Sequence, residues 1–191
     1  MATSTAQRVS IWIIAIVMLI GSVGVFVGVI LANNNQSDTA TSEADTQKQM
    51  EEYKKQMEEQ AKASAAASQP LDGYSAAPFD ASAVTALQTE DLKPGTGKEA
   101  AANSTLSVNY FGWTPDGKIF DSSNKNGTVT PAEFPLDKVI QGWTQGLQGA
   151  KEGGVRKLVI PASLAYGAQG SPPTIQPNTP LTFIVEIKKV Q

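Results

Sequence analysis

The sequence predicts an α+β domain following a chain segment of quite different character. Residues 105–112 alternate Leu106, Val108 and Tyr110 with mostly polar neighbours, and Pro115-Asp116-Gly117 turns the chain back into a paired strand. Residues 155–160 and 181–190 are the most strand-like runs in the chain. Only one short helical stretch, 140–150, is available to cover a sheet face.

Residues 1–10 form a short N-terminal segment whose single basic side chain is Arg8. Residues 11–32, IWIIAIVMLIGSVGVFVGVILA, carry no charge. At about 1.5 Å per helical residue they span roughly 33 Å, close to the hydrocarbon thickness of a bilayer. A cleaved signal has an apolar core of only about 7–15 residues, so an uncleaved transmembrane anchor is expected. Arg8 precedes the run and the next basic residue is Lys48. The positive-inside bias therefore puts the N-terminus in the cytoplasm and everything after Ala32 outside.

Residues 33–83 read as a polar stalk and linker. Residues 33–41 lack periodicity, and a helix is expected over about 43–66, where Ala, Glu, Gln, Lys and Met dominate. Glu51 with Lys55 and Glu58 with Lys62 have the favourable spacing along it. Met50, Tyr53 and Met57 make a heptad-like stripe that Gln60 and Ser64 break, so a solvated spacer is preferred to a dimerising stalk. Residues 69–83, with Pro70, Gly73 and Pro78, are expected to be a linker.

Residues 84–191 suffice for one compact domain. Its strands are expected at 86–92, 105–112, 118–120, 133–136, 155–160 and 181–190. In the helix at 140–150, Trp143 and Leu147 share a face, and Gly153-Gly154 ends the stretch. A helical turn is expected at 163–166, followed by a stiff, exposed loop at 167–180 that contains four prolines.

Composition excludes much chemistry. The 191 residues include neither cysteine nor histidine, at a formal net charge of −3. Disulfides, thiol nucleophiles, thiolate zinc sites and Ser-His-Asp arrangements are ruled out together. Lysines in 84–191 stand mostly singly and form no basic stripe, so no nucleic-acid partner is expected. Gly95-Thr96-Gly97 lacks the third glycine of a dinucleotide loop. No phosphate loop or metal-spaced carboxylate set appears, and no cofactor is expected. Asn-X-Ser/Thr matches at Asn35, Asn103 and Asn126 matter only in a glycosylating pathway.

What remains is an aromatic constellation. Residues 108–123, VNYFGWTPDGKIFDSS, and 139–143, VIQGW, gather Tyr110, Phe111, Trp113, Phe120 and Trp143 around one acid, Asp121. If these line a pocket, it is apolar and has no thiol or imidazole. Strand alternation turns Phe111 away from Tyr110.

YFGWTPDGKIFDSS, FPLDKVIQGW, the AYG at 165–167 and PNTPLTFIVEI at 177–187 resemble the FKBP-type peptidyl-prolyl isomerases. The resemblance runs in order over about 84–191. It implies a twisted antiparallel sheet wrapped around one short α-helix, and catalysis of cis–trans isomerisation at X-Pro bonds. Tyr110, Phe120, Asp121 and Tyr166 match the family's catalytic positions. Phe134, Val139, Ile140, Trp143, Ile175 and Phe183 match its substrate-binding positions, with the Ile140 N–H offered to a ligand carbonyl and Trp143 as pocket floor. Trp113 falls outside the pocket by the same match. The implied partners are proline-containing polypeptides, and macrolide inhibitors are a further class. Ala132 stands where many members have another aromatic, and Gln176 replaces a common proline, which bears on substrate and macrolide preference.

The chemistry suits these residues independently. Rotation about a peptide bond faces a barrier of about 18–20 kcal/mol, set by resonance, and no covalent bond need break. A dry aromatic seat disfavours the polar planar amide, and a fixed donor such as the Tyr166 hydroxyl can favour the twisted one. The expected function is therefore X-Pro isomerisation in exported or cell-envelope proteins. The alternative is a non-catalytic proline-peptide-binding chaperone or membrane-tethered adaptor.

Overall fold

A computed structural model describes residues 43–191, with side-chain surroundings from residue 47 onward. The expected N-terminal segment 1–10, the anchor at 11–32 and the stretch 33–41 lie outside the described residues. Among the described residues, no helix is long and apolar enough to cross a membrane.

The chain enters through helix α1, Glu43–Ala67, where a helix over about 43–66 is expected. Met50 and Tyr53 are half exposed or more, at 50% and 58%, so most of the helix stands in solvent and only its last turns meet the domain. The chain then extends into β1, Ser68–Gln69. The other strands are β2 (Gln88–Lys93), β3 (Thr105–Trp113), β4 (Ile119–Ser122), β5 (Asn124–Lys125), β6 (Thr128–Val129), β7 (Ala132–Pro135), β8 (Val155–Ile160) and β9 (Leu181–Val190).

The main sheet runs β2-β8-β9-β3-β4, and every pairing in it is antiparallel. β3 is its centre: β9 lies along one edge, while β7 and then β4 share the other. The register places Gly112 opposite both Phe183 and Asp121, and Leu106 opposite Phe134. A small second sheet, β1-β5-β6, joins the end of α1 to the hairpin following Ser123.

Period-two alternation decides which residues enter the core. On β3, Leu106, Val108 and Tyr110 point into the main core, with Phe183, Val185 and Ile187 of β9 beside them. Their alternates Phe111, Trp113 and Ile184 face the other side. Helix α2, Gln141–Gly146, covers the first face and contributes a fully buried Trp143. It is shorter than the expected 140–150 because Gly149 takes a positive φ of 73° just beyond it. Its close seating depends on glycine: a Cβ on Gly142 would lie 2.3 Å from Cγ2 of Ile160, and one on Gly146 would lie 2.8 Å from Cδ2 of Leu158.

The segment 69–83 does not behave as the expected linker. Leu71 is buried, and Tyr74, Ala76 and Phe79 pack with it against Phe111, Trp113, Val155 and Ile184. The Trp113 indole N–H donates to the Ala77 carbonyl at 2.9 Å, and the Phe79 N–H to the Pro115 carbonyl at 3.0 Å. The physical reason is the outer sheet face itself, which carries two large aromatics that would otherwise be wet. The proline-rich loop also departs from uniform exposure, since Ile175 is 2% exposed and closes a tight antiparallel bridge with Ser171.

Candidate active site

Four rings build the centre of the inner face. Trp143 from α2 meets Tyr110 of β3, Phe134 of β7 and Phe183 of β9, all edge-on, with centroids 5.5, 5.4 and 5.4 Å away. Phe120 of β4 extends the cluster by packing on Phe183 at 5.5 Å, and Tyr110 also meets Phe134 at 5.6 Å. Edge-to-face geometry is what ring quadrupoles favour, so the cluster orients itself as well as excluding water. The Trp143 indole N–H has no oxygen or nitrogen acceptor among the described residues.

Val139, Ile140, Leu164, Ala165 and Tyr166 form a half-buried layer on this core. Ile140 begins α2 by accepting from the N–H groups of Trp143 and Thr144, at 2.9 and 3.2 Å. Its own N–H donates to nothing among the described residues. Thr144 Oγ1 donates to the Leu136 carbonyl at 2.5 Å, which fixes the approach to the helix.

Asp121 is 3% exposed and both of its oxygens are occupied. Oδ2 accepts the Tyr110 hydroxyl at 2.5 Å. Oδ1 accepts the Ser122 N–H at 2.9 Å and the Lys125 ammonium at 2.8 Å. A carboxylate so engaged serves to hold its neighbours. Burial pushes the Tyr110 phenol well above its ordinary value, and the negative Asp121 beside it adds to the shift. Burial and then Asp121 push the Tyr166 hydroxyl up as well, so both phenols remain proton donors at ordinary pH. The Tyr166 hydroxyl forms no hydrogen bond among the described residues, so it is the free donor of the pair.

All ten residues expected at the site thus fall on one side of the sheet. Tyr110, Phe120, Phe134, Trp143, Ile175 and Phe183 are in the core cluster; Val139, Ile140 and Tyr166 lie on it; and Asp121 joins through the Tyr110 hydroxyl. Phe111 and Trp113 stack on one another in the other cluster, with centroids 5.2 Å apart. Ala132 is buried opposite Val108.

Two contributors escaped the sequence reading. Gly112 lets two rings close in: a Cβ there would lie 2.5 Å from Cε1 of Phe183 and 2.7 Å from Cζ of Phe120. Its signal was a glycine in phase with Leu106, Val108 and Tyr110. Lys125, on Asp121, had a weaker signal, a cation four residues after an acid.

A separate cleft of about 200 Å³ is lined by Asp91, Lys93, Gly95, Gly154 and Arg156, and shares no residue with the aromatic cluster. Arg156 there is already spent on Asp91 and on the carbonyls of Gly146 and Gln148. The cluster, with its free donors, is the better candidate.

The chain is similar to proteins of known kind. A family model described as FKBP-type peptidyl-prolyl cis-trans isomerase matches residues 97–188. An FK506-binding protein of Neisseria meningitidis is 43% identical over 104 residues, covering 54% of this chain and 95% of that protein. The FKBP-type peptidyl-prolyl cis-trans isomerase FkpA of Escherichia coli is 46% identical over 107 residues, covering 56% of this chain and 38% of its own length. The crystal structure of a peptidyl-prolyl cis-trans isomerase from Pseudomonas syringae aligns at 35% identity with a TM-score of 0.51, covering 70% of this chain and 92% of that one. With this sheet, this aromatic cluster and a relative matched over nearly its whole length, the chain belongs to the FKBP-type peptidyl-prolyl cis-trans isomerases.

Proposed function

We propose that the chain isomerises X-Pro bonds by desolvating the amide and stabilising its twisted form, with no covalent intermediate. One observation carries this reading: among the described residues, two unengaged donors, the Tyr166 hydroxyl and the Ile140 N–H, stand on a closed aromatic cluster whose one neighbouring carboxylate, Asp121, is already occupied. The aromatic surface receives the proline ring and strips water from the preceding amide, which disfavours the more polar planar form. The Ile140 N–H holds the substrate chain through a carbonyl, and the Tyr166 hydroxyl donates to the bound chain near the twisting bond. Asp121 takes no proton from substrate; it fixes the Tyr110 hydroxyl and thereby the rim. Each tenfold in rate needs only about 1.4 kcal/mol of preference for the twisted state. FK506-type macrolides, whose rings also present an apolar body and carbonyl acceptors, are expected to compete for the same seat.

The setting belongs to the same proposal. Residues 11–32 tether the chain to a membrane with the N-terminus cytoplasmic, α1 holds the domain off the surface, and the substrates are exported or cell-envelope proteins. The uncharged run and the position of Arg8 support this.

A proline-peptide isomerisation assay on the full chain tests the mechanism. The wild type accelerates exchange without a covalent adduct by intact mass, and the Tyr166→Phe plus Asp121→Asn double variant loses most of that acceleration. A folded double variant as fast as wild type would sink this mechanism. For the setting, protease added outside intact cells with a permeabilised outer surface should remove a C-terminal tag and spare an N-terminal one; the reverse pattern defeats the orientation.

A further inference from the structure

We propose that Lys125 is a positioning residue for the active-site carboxylate and that through it the end of the stalk helix sets the geometry of the site. The inference rests on the reading of Asp121 as the group that holds Tyr110. The Lys125 ammonium lies among four oxygens. One is Asp121 Oδ1 at 2.8 Å, and the other three belong to the end of α1 and the start of β1: Ser64 O at 3.2 Å, Ser64 Oγ at 2.9 Å and Ser68 Oγ at 2.7 Å. An ammonium has three protons, so most of its donor capacity is directed at the helix end. Ser68 Oγ donates its own proton to the Ser64 carbonyl at 2.9 Å, which leaves its lone pairs for the lysine.

The backbone makes this junction rigid. β1 pairs with β5 in the register Ser68 to Lys125 and Gln69 to Asn124. The Asn126 N–H donates to the Ala67 carbonyl at 2.9 Å, the Ser122 hydroxyl to the Gln69 carbonyl at 2.6 Å, and the Asn124 amide to the Pro70 carbonyl at 2.8 Å. A displacement of the helix end therefore moves the lysine, and the lysine is bonded directly to Asp121. The carboxylate is buried while the lysine side chain is a quarter exposed, at 5% and 25%, so the pair is screened less than a surface ion pair. Without the ammonium, Oδ1 keeps only the Ser122 N–H, the carboxylate gains freedom to rotate, and the Tyr110 hydroxyl follows it. The ionisable groups gathered here are Asp121, Lys125, Tyr110 and Tyr166. The stalk is thereby a part of the enzyme as well as a spacer.

The test measures kcat, KM and thermal midpoint on the full chain with a proline peptide. Lys125→Met should lower kcat about five- to tenfold with KM changed less than about twofold, and Lys125→Arg should recover at least about half the loss. The Ser64→Ala, Ser68→Ala pair leaves Lys125 and Asp121 in place and should lower kcat about two- to threefold, yet cost nothing further when added to Lys125→Met. Unchanged kcat in a folded Lys125→Met, or in the serine pair, overturns the proposal. So does a serine effect that simply adds to the lysine effect. Asp121→Asn separates the levels: if it keeps wild-type kcat, the reading of the site fails, whereas a loss in Asp121→Asn beside a normal Lys125→Met defeats the relay alone.

Discussion

At the residue scale, the site depends on what is missing as much as on what is present. Gly112 sits in phase with three core side chains and contributes none, because Phe120 and Phe183 fill its space from either side. Gly112→Ala forces both rings to move. Overpacking of this kind costs about 1–3 kcal/mol, and here it also tilts the aromatic seat. The expected outcome is a lowered denaturation midpoint together with a raised KM for proline peptides, read by urea melts and steady-state kinetics. Tyr166 presents the opposite case, a donor without a partner. Tyr166→Phe removes no internal hydrogen bond, so stability should hold within about 0.5 kcal/mol, while kcat/KM falls about tenfold. Equal losses in stability and rate would show that the hydroxyl has a structural partner.

At the element scale, the segment joining stalk to domain is part of the fold. Leu71, Tyr74, Ala76 and Phe79 cover an outer sheet face carrying Phe111 and Trp113. Leu71→Ala should therefore cost about 2 kcal/mol or more, as for other buried leucines, a loss that a solvated linker would not show. Two fragments would differ in this cover. A chain starting at Ser68 keeps the cover, whereas one starting at Val84 exposes the stacked pair. The shorter fragment should bind an apolar dye more strongly and melt at a lower temperature. Identical melting of the two fragments would mean that the cover contributes nothing. Such a cover was hard to read from sequence because Pro70, Gly73 and Pro78 interrupt any periodicity; its apolar residues answer to the shape of the sheet and follow no internal repeat.

At the scale of the whole molecule, the buried phenols couple folding to alkaline pH. Tyr110 and Tyr166 have folded-state values above their ordinary 10.0, so the folded protein keeps protons that the unfolded chain gives up. Their stabilisation is fully present below about pH 10 and is lost as pH rises toward the folded values. Urea melts between about pH 8 and about pH 11 should show a decline above about pH 10 that Tyr110→Phe makes shallower. A decline of the same slope in that variant would place its origin elsewhere.

The sequence by itself determined the sheet, because alternation on 105–112, 155–160 and 181–190 is a local signal that burial on two faces reinforces. It also brought out ten residues, distributed over separated motifs, that the fold gathers on one face of the sheet. Even the exclusion of Phe111 followed from counting along one strand. Three things were decided only by tertiary structure. The register that brings Gly112 between Phe183 and Asp121 is a property of three strands at once. The folding of 69–83 onto the outer face depends on an apolar surface that exists only once the sheet has formed. The link from Ser64 and Ser68 through Lys125 to Asp121 joins residues up to 61 positions apart in sequence, across a two-residue strand too short to leave any pattern. Local periodicity can specify which way a side chain faces; which distant group it then meets is settled by packing.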